Sequence, residues 1–390
     1  MVLIIIGILL AVLVVWVIKT AGWKFAAQRF GGAAIVVVLV TFGTSLLLRQ
    51  VPGEPCEIAL GTAASEENVA RCVEEQGLDD SVVAQYLRWG TDTVSGDLGY
   101  AFYKNQEPLI DTIEQRLPRT AWLFLYSQLI ALALAVPLGI WSAYQAGRSR
   151  RSIPGWAIYP IVGTLFVLGQ FVFGWRLTTL VAVAFIVPLI VFNLARAGRS
   201  GDTMVNFSAF VLLSIPVFVI GETLRFAFSV ERNWYALSGY EPWSAGVVEH
   251  LKSIWLPALV LGLAATPVYL RLLRADMIQN LQQDYVAVAK AKGMSNMHIL
   301  LRHVLRPSTV TLLTVLGLNI AQLVNGAVVV EYIFDFDGMG GYLIEAVFRQ
   351  EFFAVQTIVA LVAVLFVLTN LVIDLLYTTV DPRVKAQAQA

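Results

Sequence analysis

The sequence predicts an all-α polytopic membrane protein. Hydrophobic residues make up 58% of the 390 positions, charged residues make up 14%, and the mean hydropathy is +0.72. Soluble domains carry about 25% charged residues, so this chain is too apolar for that class. Nine apolar segments have about the length, roughly 20 residues, that a helix needs to cross a bilayer. They cover residues 2–18, 31–49, 119–146, 155–173, 177–196, 207–228, 255–274, 309–331 and 355–379.

The basic residues between these segments predict the orientation. Connections rich in Lys and Arg, such as residues 19–29, 148–151 and 271–306, alternate along the chain with connections that hold few of them. Positively charged connections stay on the cytoplasmic side, so we expect the N-terminus outside and the C-terminus inside. The formal net charge of zero gives no indication of a nucleic-acid partner.

The first segment, residues 2–18, has two interpretations. An apolar N-terminal stretch can be a signal peptide, but no basic region precedes this one and no A-x-A-like cleavage site follows it. We therefore interpret residues 1–30 as an additional span with its cytosolic linker, and residues 31–49 as the span that follows.

Residues 50–118 predict a small acidic helical module outside the membrane, because they hold 13 acidic and four basic residues. Ser65 and Ser81 are N-cap residues at the starts of two predicted helices, and Gly77 is the stop of the first. The expected packing positions are Val69, Cys72 and Val73 in the first helix, and Val82, Val83, Tyr86 and Leu87 in the second.

The only two cysteines, Cys56 and Cys72, both lie in this module. An oxidising exterior allows them to form a disulfide, which would stabilise the module by roughly 3 kcal/mol. The alternative is two free thiols. We predict the disulfide, since both cysteines fall on the outer side and none lies elsewhere.

The sequence lacks the common catalytic motifs. It contains no G-x-x-x-x-G-K-[ST] phosphate loop, no H-E-x-x-H, no G-x-S-x-G and no Cys/His ligand spacing. A membrane-embedded hydrolase would need paired Asp or Ser/His groups at membrane depth, whereas Asp374 is isolated in the last segment. We expect no catalytic residue, no metal site and no cofactor in this chain.

The inner connection at residues 275–307 contains a basic stretch, "DYVAVAKAKGMSNMHILLRHVLRP". Its first part has small side chains at Ala287, Ala289 and Ala291 before Gly293 interrupts it. Its second part has an apolar stripe at helical spacing, formed by Ile299, Leu300, Val304 and Leu305. A solvated basic linker would explain the charge but not the small residues, which allow close approach of another protein.

Three motifs, in order along the chain, carry a resemblance to a known family. The segment "GLDDSVVAQYLRWGTDTVSGDLGYAF" is one, and "VVEYIFDFDGMGGYLIEAV", with Glu331, Phe334, Gly338 and Gly340, is another. The basic stretch is the third and resembles the EAA loop of ATP-binding-cassette importer permeases. All three resemble the dipeptide/oligopeptide permease group, over residues 30–150 and 205–385.

The chain departs from the group's pattern at several points. Ala287 and Val288 stand at the first two EAA positions, Asp337 replaces a proline and Ala101 replaces a serine. The resemblance implies a MetI-like core of six spans. Two additions fall outside it, namely the N-terminal span and a hairpin at 155–196 inserted within the permease domain at 119–385, while residues 386–390 are a tail.

The resemblance implies a permease subunit, not an enzyme. It would form half of a pathway for di- or oligopeptides with a second permease, while two cytosolic ATPases hold ATP and Mg²⁺ and an external binding protein delivers the substrate. Nickel, sugars or another peptide-like solute remain alternatives, as does an ATP-independent secondary transporter. The implied ATPase-coupling helix includes Asp284, Tyr285, Ala287, Ala289, Ala291, Gly293, Met294, Ser295 and Met297.

Polar residues within the spans are candidates for the translocation pathway. Asn319, Gln322 and Asn325 lie on neighbouring turns of one segment, and polar side chains at membrane depth face a wet cavity or a neighbouring helix. Hydrogen bonding between helices is the alternative role. Glu222 and Arg225 are three residues apart, so we expect them to pair near the outer end of their span.

Overall fold

The computed structural model describes residues 11, 15–16, 22–50, 55–61, 64–76, 79–101, 107–146, 201–231, 233–235 and 239–380. The predicted spans 155–173 and 177–196, and nearly all of 2–18, lie outside these residues. Within the described ranges, five helices are long and apolar enough to cross a membrane, or six when one bent pair is taken as a single span. The protein is therefore an all-α polytopic membrane protein.

Helices account for almost all of the regular structure in the described ranges. The helices are α1 (Trp23–Leu48), α2 (Pro55–Leu60), α3 (Glu66–Gln76), α4 (Val82–Ser95), α5 (Leu109–Ala146), α6 (Gly201–Ser214), α7 (Val217–Arg225), α8 (Val247–Leu281), α9 (Asp284–Ala291), α10 (Asn296–His298), α11 (Leu305–Phe334), α12 (Met339–Phe348) and α13 (Phe352–Val380). Two short strands, β1 (Tyr100–Ala101) and β2 (Glu107–Pro108), pair antiparallel before α5. A π-helical turn, Ile299–Val304, joins α10 to α11.

The chain divides into two compact units, Met1–Trp122 with Ile320–Ala390, and Leu123–Asn319. In the first unit, α1 packs along α13. Buried side chains from the start of α5, from α12 and from α13 form one apolar cluster, which includes Leu109, Ile113, Tyr342, Phe352 and Ile358. The cluster holds α12 close to the first turns of α5.

The segment between α1 and α5 contains the predicted disulfide, which joins Cys56 of α2 to Cys72 of α3. Both predicted N-caps are confirmed, because Ser65 Oγ accepts from Asn68 N at 3.2 Å and Ser81 Oγ accepts from Ala84 N at 3.3 Å. Helix α3 ends at Gln76, and the predicted stop at Gly77 lies outside the described residues.

The predicted packing face of α4 is partly wrong. Val83 and Leu87 are exposed, whereas Gln85 and Trp89 are buried. Trp89 Nε1 donates to Thr357 Oγ1 of α13 at 3.2 Å, and Gln85 Oε1 accepts from the Arg49 guanidinium. Polar atoms with long-range partners therefore face inward, which the distribution of apolar residues in α4 does not reveal.

In the second unit, α6 and α7 form the bent pair, with an angle of 93° at the break before Val217. Helix α8 packs against α6 and approaches α5 closely at Gly262. A Cβ atom at Gly262 would lie 2.8 Å from Ile130 Cγ2 and 3.0 Å from the Ser127 carbonyl oxygen. Glycine at this position therefore allows the two helices to come into backbone contact.

Candidate functional site

The basic stretch forms two helical pieces joined at a glycine. Helix α9 ends at Ala291, and Gly293 follows with φ of 77°. Gly293 N donates to Lys290 O at 3.0 Å and Met294 N donates to Ala289 O at 3.2 Å, which is the Schellman arrangement of a helix C-terminus. The predicted interruption at Gly293 is confirmed, and the residues of the implied coupling helix are divided among α9, the loop after it and α10.

The second piece begins at Ser295, whose Oγ accepts from His298 N at 3.4 Å. The π-helical turn follows, and its predicted apolar stripe is buried at Ile299, Leu300 and Val304. These side chains lie against α9, whose inner face is formed by the buried Val286 and Ala289. The two pieces therefore pack on each other instead of extending as one rod.

The opposite face of α9, the loop after it and α10 expose apolar side chains. Val288 is 54% exposed and Met297 is 48% exposed, and Tyr285 and Met294 are also exposed. Ala287 and Ala291 lie on this surface as well, together with Lys290 and Lys292. The result is a patch of apolar and small residues with basic residues among them, which we call the α9 surface.

Asn280 connects the α9 surface to the long helices. Its Nδ2 donates to Asp276 Oδ2 at 3.0 Å within α8 and to Ser308 Oγ at 3.1 Å in α11, and its Oδ1 accepts from the Tyr285 hydroxyl at 3.4 Å. Burial, together with the Asp276 carboxylate, raises the pKa of Tyr285. The hydroxyl therefore remains a donor at neutral pH, and α8, α9 and α11 meet at one amide side chain.

The signature segment "VVEYIFDFDGMGGYLIEAV" folds around the carboxylate of Glu331, near the C-terminal end of α11. Glu331 is buried and accepts from Thr120 Oγ1 at 2.6 Å, from Gly340 N at 2.6 Å and from Gly341 N at 3.1 Å. The first amide groups of a helix have no partner within it, and an acidic group stabilises that end. Glu331 therefore joins α11, α5 and the N-terminus of α12.

The glycines of this segment are explained by the same carboxylate. A Cβ atom at Gly338 would collide with the Glu331 carboxylate, and a Cβ atom at Gly340 would lie 2.6 Å from Val328 Cα. Phe334 is fully buried next to this turn. Glu331, Phe334, Gly338 and Gly340 thus act together to hold α12 against α11.

Asp337 stands where the dipeptide/oligopeptide permease group has proline. It makes contacts that the sequence did not reveal. Its φ is 54°, and its carboxylate pairs with Arg119 and, at 2.8 Å, with Arg116. The guanidinium of Arg116 also lies 4.9 Å from the centre of the Tyr342 ring. Both arginines precede Asp337 by more than 200 positions, so spacing along the chain could not indicate the contact.

The pathway candidates have different surroundings. Asn319 is buried beside the Tyr269 hydroxyl, which donates to Gln128 Oε1 at 2.6 Å, so Asn319 contacts another helix. The side chains of Gln322 and Asn325 lie outside the described part of the structure. Glu222 pairs with Arg225 at 3.8 Å as predicted, and its side chain is more than half exposed.

Comparisons with known proteins identify the family of this chain. Residues 186–386 match the family described as "Binding-protein-dependent transport system inner membrane component", and residues 23–124 match the corresponding N-terminal family. The chain is 29% identical over 369 residues to the dipeptide transport system permease protein DppB of Escherichia coli K12, covering 93% of this chain and 98% of that protein. It is 27% identical over 352 residues to the oligopeptide transport system permease protein AppB of Bacillus subtilis, covering 90% and 95%.

The matched residues include the α9 surface, the Glu331 turn and the whole segment between α1 and α5. The family consists of the permease components of ATP-binding-cassette transporters, which work with ATPase and substrate-binding partners. The resemblance predicted from the three motifs is therefore confirmed. The chain belongs to the inner membrane components of binding-protein-dependent transport systems and is a multi-pass permease subunit of the cell membrane, without catalytic activity of its own.

Proposed function

We propose that this chain forms half of the translocation pathway of an ATP-driven peptide importer. Two of its relatives are dipeptide and oligopeptide transport permeases, which supports peptides as the substrate class. A second, similar permease completes the pathway, two cytosolic subunits bind ATP and Mg²⁺, and an external binding protein docks near residues 50–118. The full chain has nine spans with the N-terminus outside and the C-terminus inside.

The α9 surface is the observation that carries this proposal. Its exposed apolar and small side chains suit a groove on a cytosolic ATPase, because no bulky group keeps the surfaces apart. Asn280 links α9 to α8 and α11 by hydrogen bonds, so a push on α9 is transmitted to two long helices. Rigid-body movement of this kind is a common route for conformational coupling.

Gly293→Arg tests this coupling. The long charged side chain would project from a position with positive φ and no neighbour within 4 Å, in the middle of the docking surface. In proteoliposomes with the partner subunits, we expect peptide uptake to fall at least tenfold while ATP hydrolysis continues. Gly293→Asn is the matched control, because asparagine tolerates this backbone conformation and adds little bulk. Normal uptake by Gly293→Arg would contradict docking at α9.

The orientation has a separate test. Both native cysteines form a disulfide, so Gly293→Cys introduces the one free thiol of the chain. A membrane-impermeant thiol reagent applied outside intact cells should leave it unlabelled, and labelling after permeabilisation confirms that the thiol is reactive. Labelling from outside would show that the proposed orientation is wrong, and it would exclude docking of a cytosolic ATPase at the α9 surface.

Purification from mildly solubilised membranes tests the partners. The proposal requires a second permease and two nucleotide-binding subunits in the complex, whereas a solitary chain with transport activity would support an ATP-independent transporter. The substrate is tested by identifying the ligand of the binding protein that copurifies.

For the pathway, Gln322→Leu should change uptake rate or selectivity, and an unchanged transport profile would indicate a structural role.

A further inference from the structure

Three polar side chains from three helices meet in the interior of the second unit. Gln128 lies on α5, Tyr269 on α8 and Asn319 on α11. The Tyr269 hydroxyl donates to Gln128 Oε1 at 2.6 Å, and Asn319 lies close to the same hydroxyl. Tyr269 is fully buried, and Gln128 and Asn319 are each 6% exposed. We call this group the polar trio.

Two amide donors of the polar trio have no hydrogen-bond partner among the described residues. Gln128 Nε2 and Asn319 Nδ2 are both buried and make no hydrogen bond with any described residue. A buried donor without a partner loses its hydrogen bonds to water without replacement, and native proteins contain few such donors. Neighbouring buried hydroxyls on the same helices are satisfied, since Ser127 Oγ donates to Phe124 O and Thr266 Oγ1 donates to Gly262 O, each at 2.7 Å. The two hydroxyls next to the polar trio are thus satisfied, whereas the two amide donors have no partner among the described residues.

The surroundings of the polar trio determine which ligand it can take. Residues 123–146, 253–270 and 307–330, the parts of α5, α8 and α11 around it, contain no Asp, Glu, Lys, Arg or His. Neutral amide donors in an uncharged environment suit a neutral oxygen acceptor, whereas a charged ammonium or carboxylate would remain uncompensated. A peptide presents such an acceptor at each main-chain carbonyl, whatever its side chains.

The polar trio is closed in this conformation, because Tyr269 is fully buried and the Gln128 and Asn319 side chains are almost fully buried. Access requires α5 and α8 to separate, as alternating access would make them do. We propose that Gln128 and Asn319, positioned by Tyr269, bind main-chain carbonyl oxygens of a peptide in transit. This inference rests on the proposed function and adds a sequence-independent subsite to it.

The test uses the complete transporter in proteoliposomes and two peptides that differ at one atom. In the second peptide a thioamide replaces one amide, so that a weak sulfur acceptor replaces the carbonyl oxygen without adding charge. With the wild-type chain, we expect the KM of the amide peptide to be lower than that of the thioamide peptide. Gln128→Leu and Asn319→Leu should each raise that KM about 2–10-fold, the equivalent of one hydrogen bond, and remove the difference between the peptides. Gln128→Met provides the same test if a leucine variant does not assemble.

Thr266→Val is the matched control, because it removes a buried hydroxyl of α8 whose hydrogen bond is already made. It should leave the preference for the amide peptide unchanged. If the Gln128 and Asn319 variants keep that preference and only lower the melting temperature, the polar trio is a structural contact and the inference is overturned. If the wild-type transporter imports neither peptide, the proposed peptide function itself fails.

Discussion

Gly340, the second residue of α12, should not tolerate even a methyl group. A Cβ atom there would lie 2.6 Å from Val328 Cα, 3.0 Å from Val328 Cγ2 and 2.9 Å from Glu331 Oε2. The nearest of these atoms belongs to the backbone of α11, so rotation of a side chain cannot relieve the overlap. Overpacking of this kind costs about 1–3 kcal/mol, and displacement of Glu331 would weaken its bonds to Gly340 and Gly341 as well. We therefore expect Gly340→Ala to destabilise the protein.

Gly341 is a matched control on the same helix turn. A Cβ atom there would have no neighbour within 4 Å, and its N–H bond to Glu331 does not involve the side-chain position. Alanine is favoured over glycine inside a helix by roughly 0.5–1 kcal/mol. Gly341→Ala should therefore be neutral or stabilising, and the two variants should differ by about 1–4 kcal/mol.

Thermal unfolding of the purified complex in nanodiscs, followed by intrinsic fluorescence, measures this difference. One kcal/mol corresponds to about 2–4 °C for larger domains, so Gly340→Ala should melt several degrees below Gly341→Ala. The order of the two melting temperatures is the decisive quantity. Equal melting temperatures, or a higher one for Gly340→Ala, would show that α12 does not pack on α11 through Glu331 as described.

Further substitutions test the other local features. Gly293→Ala should destabilise the end of α9 by about 1–2 kcal/mol because Gly293 has positive φ, and Gly293→Asn should destabilise it less. Hydrogen exchange of the amides at the end of α9 measures the difference, and equal exchange in the two variants would contradict the steric explanation. Cys56→Ser should destabilise the α2–α3 segment by roughly 3 kcal/mol and increase its proteolysis to the level of the reduced wild-type protein, and unchanged proteolysis would contradict this. Asp337→Asn should cost up to about 1 kcal/mol through its partly exposed pairs with Arg116 and Arg119, and a loss that does not shrink at high salt would argue against an ionic cause.

The features predicted correctly from the sequence are those set by neighbouring residues. Ser65 and Ser81 cap helices because their hydroxyls reach amides three residues ahead. Gly293 ends α9 because it can adopt positive φ without a Cβ penalty. The disulfide was predicted because both cysteines fall in one short segment between two apolar segments. Each depends on local geometry, which the order of residues already contains.

The features that were missed depend on partners far away in the chain. The inward face of α4 is set by Thr357 and Arg49, not by its own apolar residues. The sequence marked Glu331 as part of a motif but could not indicate Thr120, 211 positions earlier, as its partner. Gln128 and Tyr269 carried no motif at all, because single polar residues in apolar segments give no periodic signal.

The sequence by itself determined that this is a membrane protein, that Ser65 and Ser81 cap helices, that Gly293 ends α9, and which family the chain resembles. These properties depend on bilayer thickness, backbone geometry and short motifs, which act over distances from a few residues to one span. Only the tertiary structure decided which faces are buried, how Glu331 anchors α12 and how the polar trio meets. The bond from Thr120 to Glu331 spans 211 positions and the bond from Tyr269 to Gln128 spans 141, and such groups become neighbours only when whole helices pack.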